Sequence, residues 1–182
     1  EVAGAYGDTG RHYHTLQHLQ NMFDHLTPLQ PKVKDWDATV FAVFYHDIVY
    51  NVLRNDNEER SASLAEMRLR ELNVSLIRIE KCKDLIIATK AHDANEDPDT
   101  DYFVDVDLSI LGSDWLTYFR YVQQVRMEFH LFPAVIFKPG RRKVLKHFLG
   151  MDKIYKTKEF YHQYENQARE NLGRELRLLT RT

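Results

Sequence analysis

Cysteine is almost missing from this chain of 182 residues, with Cys82 as its single example. That excludes an intrachain disulfide framework and a thiolate zinc site, and it suits a reducing, cytoplasmic setting. Cys82 stands between Lys81 and Lys83 without an assigned base and reads as an inert helix residue. No apolar run approaches the ~20 residues of a membrane-spanning helix, so no membrane partner is expected. Excess charge of either sign is also lacking. Lys and Arg total 25 against 27 Asp and Glu, so no overall cationic field draws in nucleic acid, and any polyanion contact must be local. Residues 1–10 lack the charged-then-apolar layout of a secretory signal. With Glu1 rather than Met in first place, the true start is expected upstream, and nothing in the segment points to export.

Several catalytic signatures are absent too. There is no Gly-rich phosphate loop, no Gly-x-Ser-x-Gly elbow and no His-Glu-x-x-His helix. A carboxylate-bridged di-iron bundle needs two Glu-x-x-His motifs, and only Glu159-x-x-His162 is present. Glycine and proline fall at single punctuation points, and no repeat or linker appears. One domain over 1–182 is expected, a size at which about two thirds of the unfolded surface can be buried.

What is present is helical periodicity. Leu16, Leu19, Phe23 and Leu26 recur at three- and four-residue spacing from Thr15 to Leu26, before Pro28 and Pro31. The run Val40–Tyr45 is too uniformly apolar for a surface helix and predicts a buried one from about Asp37 to Asn51. Asp56 with Glu59 resembles a capping box, opening a helix through Leu64, Met67 and Leu72 to about Asn73. Ser75 opens another to about Ala91, followed by a polar loop over 92–99. Tyr102–Leu111 alternates like a strand but stops at Gly112, and is assigned as helix. Further helices are expected from Ser113 or Asp114 to about Leu131, near 141–149, and over 158–180. The fold class expected is all-α, a single-domain helical bundle.

Polar residues interrupt three of the apolar faces. His46-Asp47 closes the most apolar segment, where a carboxylate is costly to bury unless something neutralises it. On the first helix His14, His18, Asn21 and His25 share about 60° of arc beside the apolar stripe. Asp105 and Asp107 interrupt a third run, and at least one of them needs a partner. Together these helices can offer two nitrogen and two oxygen donors to one divalent cation.

The ordered pattern of a histidine, a His-Asp pair and a distant aspartate resembles the HD-domain superfamily. His18, His46-Asp47 and Asp107 match it. Arg11-His12-Tyr13-His14-Thr15-Leu16-Gln17-His18 and Phe44-Tyr45-His46-Asp47-Ile48 look like its small bacterial branch of predicted metal-dependent phosphohydrolases, and 118–128 and 165–172 are also similar. The resemblance implies a helical bundle around a divalent metal (Mn, Co, Ni, Mg, Fe or Zn) that binds and hydrolyses a phosphate ester, a nucleotide or a small phosphomonoester. It implies His18, His46, Asp47 and Asp107 as ligands, with Asp107 preferred because it directly precedes Leu108, and Asp105 as the fallback.

Such chemistry also needs an acid or base, for which Glu58, Glu59, His92 and Asp93 are candidates. Glu58 and Glu59 are equally well explained by a helix N-terminus, and His92 by a helix C-terminus. For phosphate contacts the candidates are Arg11, His14, Lys90, Arg126, Arg141 and Arg142, the last two in a basic turn, Lys138–Lys143, before a helix. The competing function is a catalytically silent HD-like module that binds a nucleotide as a sensor. The partner expected is a small phosphorylated substrate, with homo-oligomerisation left open.

Overall fold

The computed structural model describes residues 1–93 and 95–180; Ala94, in the polar loop expected over 92–99, lies outside them. The described residues are all-helical, with no strand. None of their helices is long and apolar enough to cross a membrane. The chain divides into two compact units, Glu1–Asp107 and the residues from Leu108 onward.

The first unit contains α1 (Val2–Tyr6), α2 (Leu16–Leu26), a 3-10 segment (Thr27–Lys32), α3 (Trp36–Tyr45), α4 (Asn57–Glu71), α5 (Leu76–Ala88) and α6 (Pro98–Asp107). Thr15 caps α2 by accepting from the Gln17 amide. His18, Leu19, Met22 and Leu26 are the residues this helix buries. Asp99 of α6 is fully buried and accepts from the amides of Lys34 (2.8 Å) and Asp35 (3.0 Å) at the entry to α3. That contact pins α6 beside the start of α3, while Asp107, at the other end of α6, meets its exit.

Three local expectations are corrected here. The buried helix ends at Tyr45 rather than near Asn51, because the His46 ring takes up the Val43 carbonyl (2.9 Å) and the chain turns. Asp56 makes no capping hydrogen bond; its carboxylate is held by Arg54 at 2.6 Å through both Nε and Nη2. The buried face of α4 is Ser61, Ala62, Ala65 and Leu69, with Met67 and Leu72 exposed, since small side chains let α4 and α5 approach closely. This helix closes on Asn73 at φ 56°. The Val74 amide returns to Leu69 O and that of Asn73 to Arg70 O, a Schellman arrangement in which asparagine takes the left-handed position.

The second unit holds a 3-10 segment (Leu108–Gly112), α7 (Trp115–Glu128), α8 (Ala134–Gly150) and α9 (Lys158–Thr180). Asp114 caps α7 through the amides of Leu116 and Thr117. Gly112 is more than a helix stop, because a Cβ there would lie 2.5 Å from Cβ of Tyr164. Buried Asn171 donates to the carbonyls of Leu111 (2.9 Å) and Ser113 (2.8 Å). Buried Glu165 accepts from the amides of Ile154 and Tyr155 before α9. Two residues of the 165–172 segment thus serve packing in this unit.

The expected basic turn over 138–143 is not a turn. Helix α8 runs through Pro139 and Gly140, held by Leu145 and Phe148, which it buries, so the backbone amides there are not presented to an anion. Arg141 is buried in a two-pronged pair with Glu175 (Nε–Oε1 2.7 Å, Nη2–Oε2 3.0 Å), to which the Tyr118 hydroxyl also donates. Removing one member strands a buried charge. Glu175→Ala is expected to lower unfolding stability by about 3 kcal/mol in urea denaturation. A loss under about 1 kcal/mol would mean that the pair behaves as a surface contact.

Candidate metal centre

The site lies within the first unit and is built from four helix ends. His18 comes from the buried margin of α2. His46 and Asp47 follow the last turn of α3. Asp107 ends α6, and His92 follows α5. Donation from His46 Nδ1 to the Val43 carbonyl leaves Nε2 as the atom turned toward His18.

Nε2 of His18 and Nε2 of His46 are 3.1 Å apart. Oδ2 of Asp47 is 3.2 Å from His46 Nε2, and Oδ1 of Asp107 is 3.2 Å from His18 Nε2 and 3.7 Å from His46 Nε2. One donor atom from each of His18, His46 and Asp47 fits within a 4.8 Å cluster; Asp107 lies beside it, against both imidazoles, without belonging to that group of three. A cation bound at about 2.1 Å places neighbouring ligand atoms about 3 Å apart, which is the spacing found. Two imidazole nitrogens and two carboxylates are also the donor types suited to a transition-metal dication. His18, His46 and Asp47 fit such an ion, with the Asp107 carboxylate beside them. Asp105 is fully buried, about 200° from Asp107 around α6.

The imidazoles form the floor, with His18 and His46 only 3% and 1% exposed. The rim is more open: Asp47 is 19% exposed, Asp107 15%, His14 20% and His92 15%. Burial lowers the His18 pKa against the opposing pull of Asp107. Burial would do the same to His46, but Asp47, Asp107 and the Val43 carbonyl outweigh it and push that pKa up to about 9. Burial opposes ionisation of Asp47, yet His46 and His14 hold it well below the usual carboxylate range. Asp107 is likewise held low, by His18, His92 and His46 against burial. Without a metal, then, these neighbours favour a proton on His46.

His92 meets the cluster from outside, with Nε2 3.1 Å from Oδ2 of Asp107. Its backbone lies at φ 56°, a left-handed conformation that costs about 1–3 kcal/mol in a residue other than glycine and that accompanies its reach to Asp107. His14 is 3.7 Å from Asp47 and stacks on Tyr50 at 4.4 Å between ring centres.

The cations expected to clamp phosphate are placed otherwise. Arg11 donates to the carbonyls of Asp47 (2.7 Å), Ile48 (2.8 Å) and His14 (3.4 Å), with its guanidinium over the rings of Tyr6 and Tyr50. It braces the His-Asp turn. Lys90 binds Glu59 and the Asn55 carbonyl and lies 4.0 Å from Glu58; neither glutamate has a contact with the cluster. Asp93 is exposed. In the second unit Arg126 holds the carbonyls of Phe129 (2.7 Å) and Phe132 (3.1 Å), Arg141 is committed to Glu175, and Arg142 reaches only the Lys138 carbonyl at 3.4 Å. Each satisfies a local acceptor that the sequence does not reveal. Tyr6 was not identifiable from sequence either: it is buried, and its hydroxyl accepts from the Asp47 amide at 3.3 Å. Burial pushes the Cys82 thiol up to about 12, in keeping with an inert residue.

Compared with protein-family models, curated proteins and solved structures, the chain matches none.

A metal needs the neutral imidazole, so it must displace the His46 proton. The charged His46 stabilises the metal-free fold fully below its ordinary value of 6.5, and this is lost as pH rises through about 9. The affinity for Mn²⁺ or Zn²⁺ is therefore expected to rise about tenfold per pH unit across that window. The thermal midpoint of the metal-free protein should fall over the same window. A pH-independent affinity by titration calorimetry, or full metal content in His46→Ala by elemental analysis, would remove His46 from the ligand set.

Proposed function

We propose that this chain is an HD-type, metal-dependent phosphohydrolase acting on a nucleotide or small phosphomonoester. The observation that carries this reading is the convergence of His18, His46, Asp47 and Asp107, the ordered set the HD resemblance implies, at ligand spacing from three helices. These four residues would hold the ion, which when bound supplies an acidified water and polarises a phosphoryl oxygen. The chain's own groups do the rest. The buried imidazole floor closes the centre from the protein side, so substrate reaches it across the rim of His14, Asp47, Asp107 and His92. His92, held 3.1 Å from Asp107, would give a proton to the departing oxygen or bind the phosphoryl group. Arg11 and Tyr6 fix the His-Asp turn from beneath.

The competing reading is a silent nucleotide-binding module, and both readings require that phosphate be held. Arg11, Lys90, Arg126 and Arg141 are all engaged by protein acceptors, and so none is offered as a phosphate clamp. The two readings separate in a screen of nucleotides and phosphomonoesters with Mn²⁺, Co²⁺, Ni²⁺ or Mg²⁺, with Asp47→Ala as the control. Phosphate release that stops with a chelator is expected. Binding without turnover under every metal would select the silent module. His92→Gln is expected to lower turnover by roughly 10²–10⁴ with metal content unchanged. Loss of metal in that variant would make His92 a ligand, and unchanged turnover would return it to a structural role.

A further inference from the structure

From Phe129 to Met151 the chain carries no acidic residue but five basic ones, Lys138, Arg141, Arg142, Lys143 and Lys146, although its net charge is −2. This stretch includes all of α8. Arg141, Leu145 and Phe148 turn inward. Val135, Pro139, Arg142, Lys143 and Lys146 share about 100° of the opposite arc, and the last four line one open depression. Among the described residues no carboxylate pairs with Arg142, Lys143 or Lys146, whereas Arg54, Arg68, Arg70, Arg78 and Lys83 all hold acidic partners. Val135, at the N-terminal end of this face, is 78% exposed; beside its arc Ile136 is 58% exposed, and Leu131, just before the helix, 61%.

We propose that the outer face of α8 docks on an anionic lipid bilayer, lying along its surface without crossing it. The combination of groups selects this partner. A nucleic-acid backbone would satisfy the cations alone and leave Leu131, Val135 and Ile136 hydrated. A bilayer interface accepts both, with lysine and arginine among the headgroups and the apolar tip at the acyl boundary. The inference departs from the expectation of no membrane partner, which rested on the lack of a spanning helix. It is independent of the metal centre.

The test is co-sedimentation of the full chain with phosphatidylcholine vesicles, with and without phosphatidylserine. Binding is expected only with the anionic lipid and should weaken as salt is raised. The triple variant Arg142→Gln, Lys143→Gln, Lys146→Gln should lower partitioning about 100-fold. Val135→Ser with Ile136→Ser should lower it roughly 10-fold while leaving the salt dependence in place. Lys143, Lys146, Val135 and Ile136 are exposed and Arg142 is half-buried, and far-ultraviolet circular dichroism verifies that the variants remain helical. As a second readout, Val135→Trp should shift its emission to shorter wavelength on anionic vesicles only. No sedimentation with either vesicle overturns the proposal. So does unchanged partitioning of the serine double variant together with binding to a DNA oligonucleotide, which would reassign the face to nucleic acid.

Discussion

Taking two carboxylates and two imidazoles out of most of their water is costly, and the first unit is arranged around meeting that cost within a few ångströms. Asp47 and Asp107 are held ionised by His46, His14, His18 and His92, while His46 gains a proton that its burial alone would refuse. The positions of α2, α3 and α6 are tied to this exchange, because α2 delivers His18, the exit of α3 delivers His46 and Asp47, and α6 delivers Asp107. A cation in place of the His46 proton would meet the same electrostatic demand with the same atoms.

Around the cluster, arginine serves chiefly as a brace for the backbone. Arg11 collects carbonyls from the turn after α3, Arg126 those after α7, and Arg169 those of Leu149, Met151 and Asp152 after α8. A guanidinium thus satisfies carbonyls near helix ends, where amide partners run short; the Phe129 carbonyl accepts from the Phe132 amide as well. Arg141 does the equivalent for a buried carboxylate. This use of arginine gives the cations near the sequence motifs internal acceptors. The basic residues left without acidic partners at the outer face of α8 are therefore informative.

The sequence alone determined the helical class, because the three- and four-residue spacing of Leu16, Leu19, Phe23 and Leu26 and a helix start at Ser113 or Asp114 are local signals that the backbone follows. It also marked His18, His46, Asp47 and the Asp105–Asp107 pair, since a polar group interrupting an apolar face is visible wherever the chain goes. What such interruptions meet is a matter of distant contacts. Only the tertiary structure decided that Asp107 meets His18 and His92, that Tyr6 supports the His-Asp turn and that His92 reaches Asp107 from a left-handed backbone. It also decided that Arg11 and Arg141 are committed to internal acceptors. Helix α8 shows the same division. Pro139-Gly140 carries a local preference for a turn, and the burial of Leu145 and Phe148 overrides it because packing energy summed along a helix exceeds the loss of one backbone hydrogen bond.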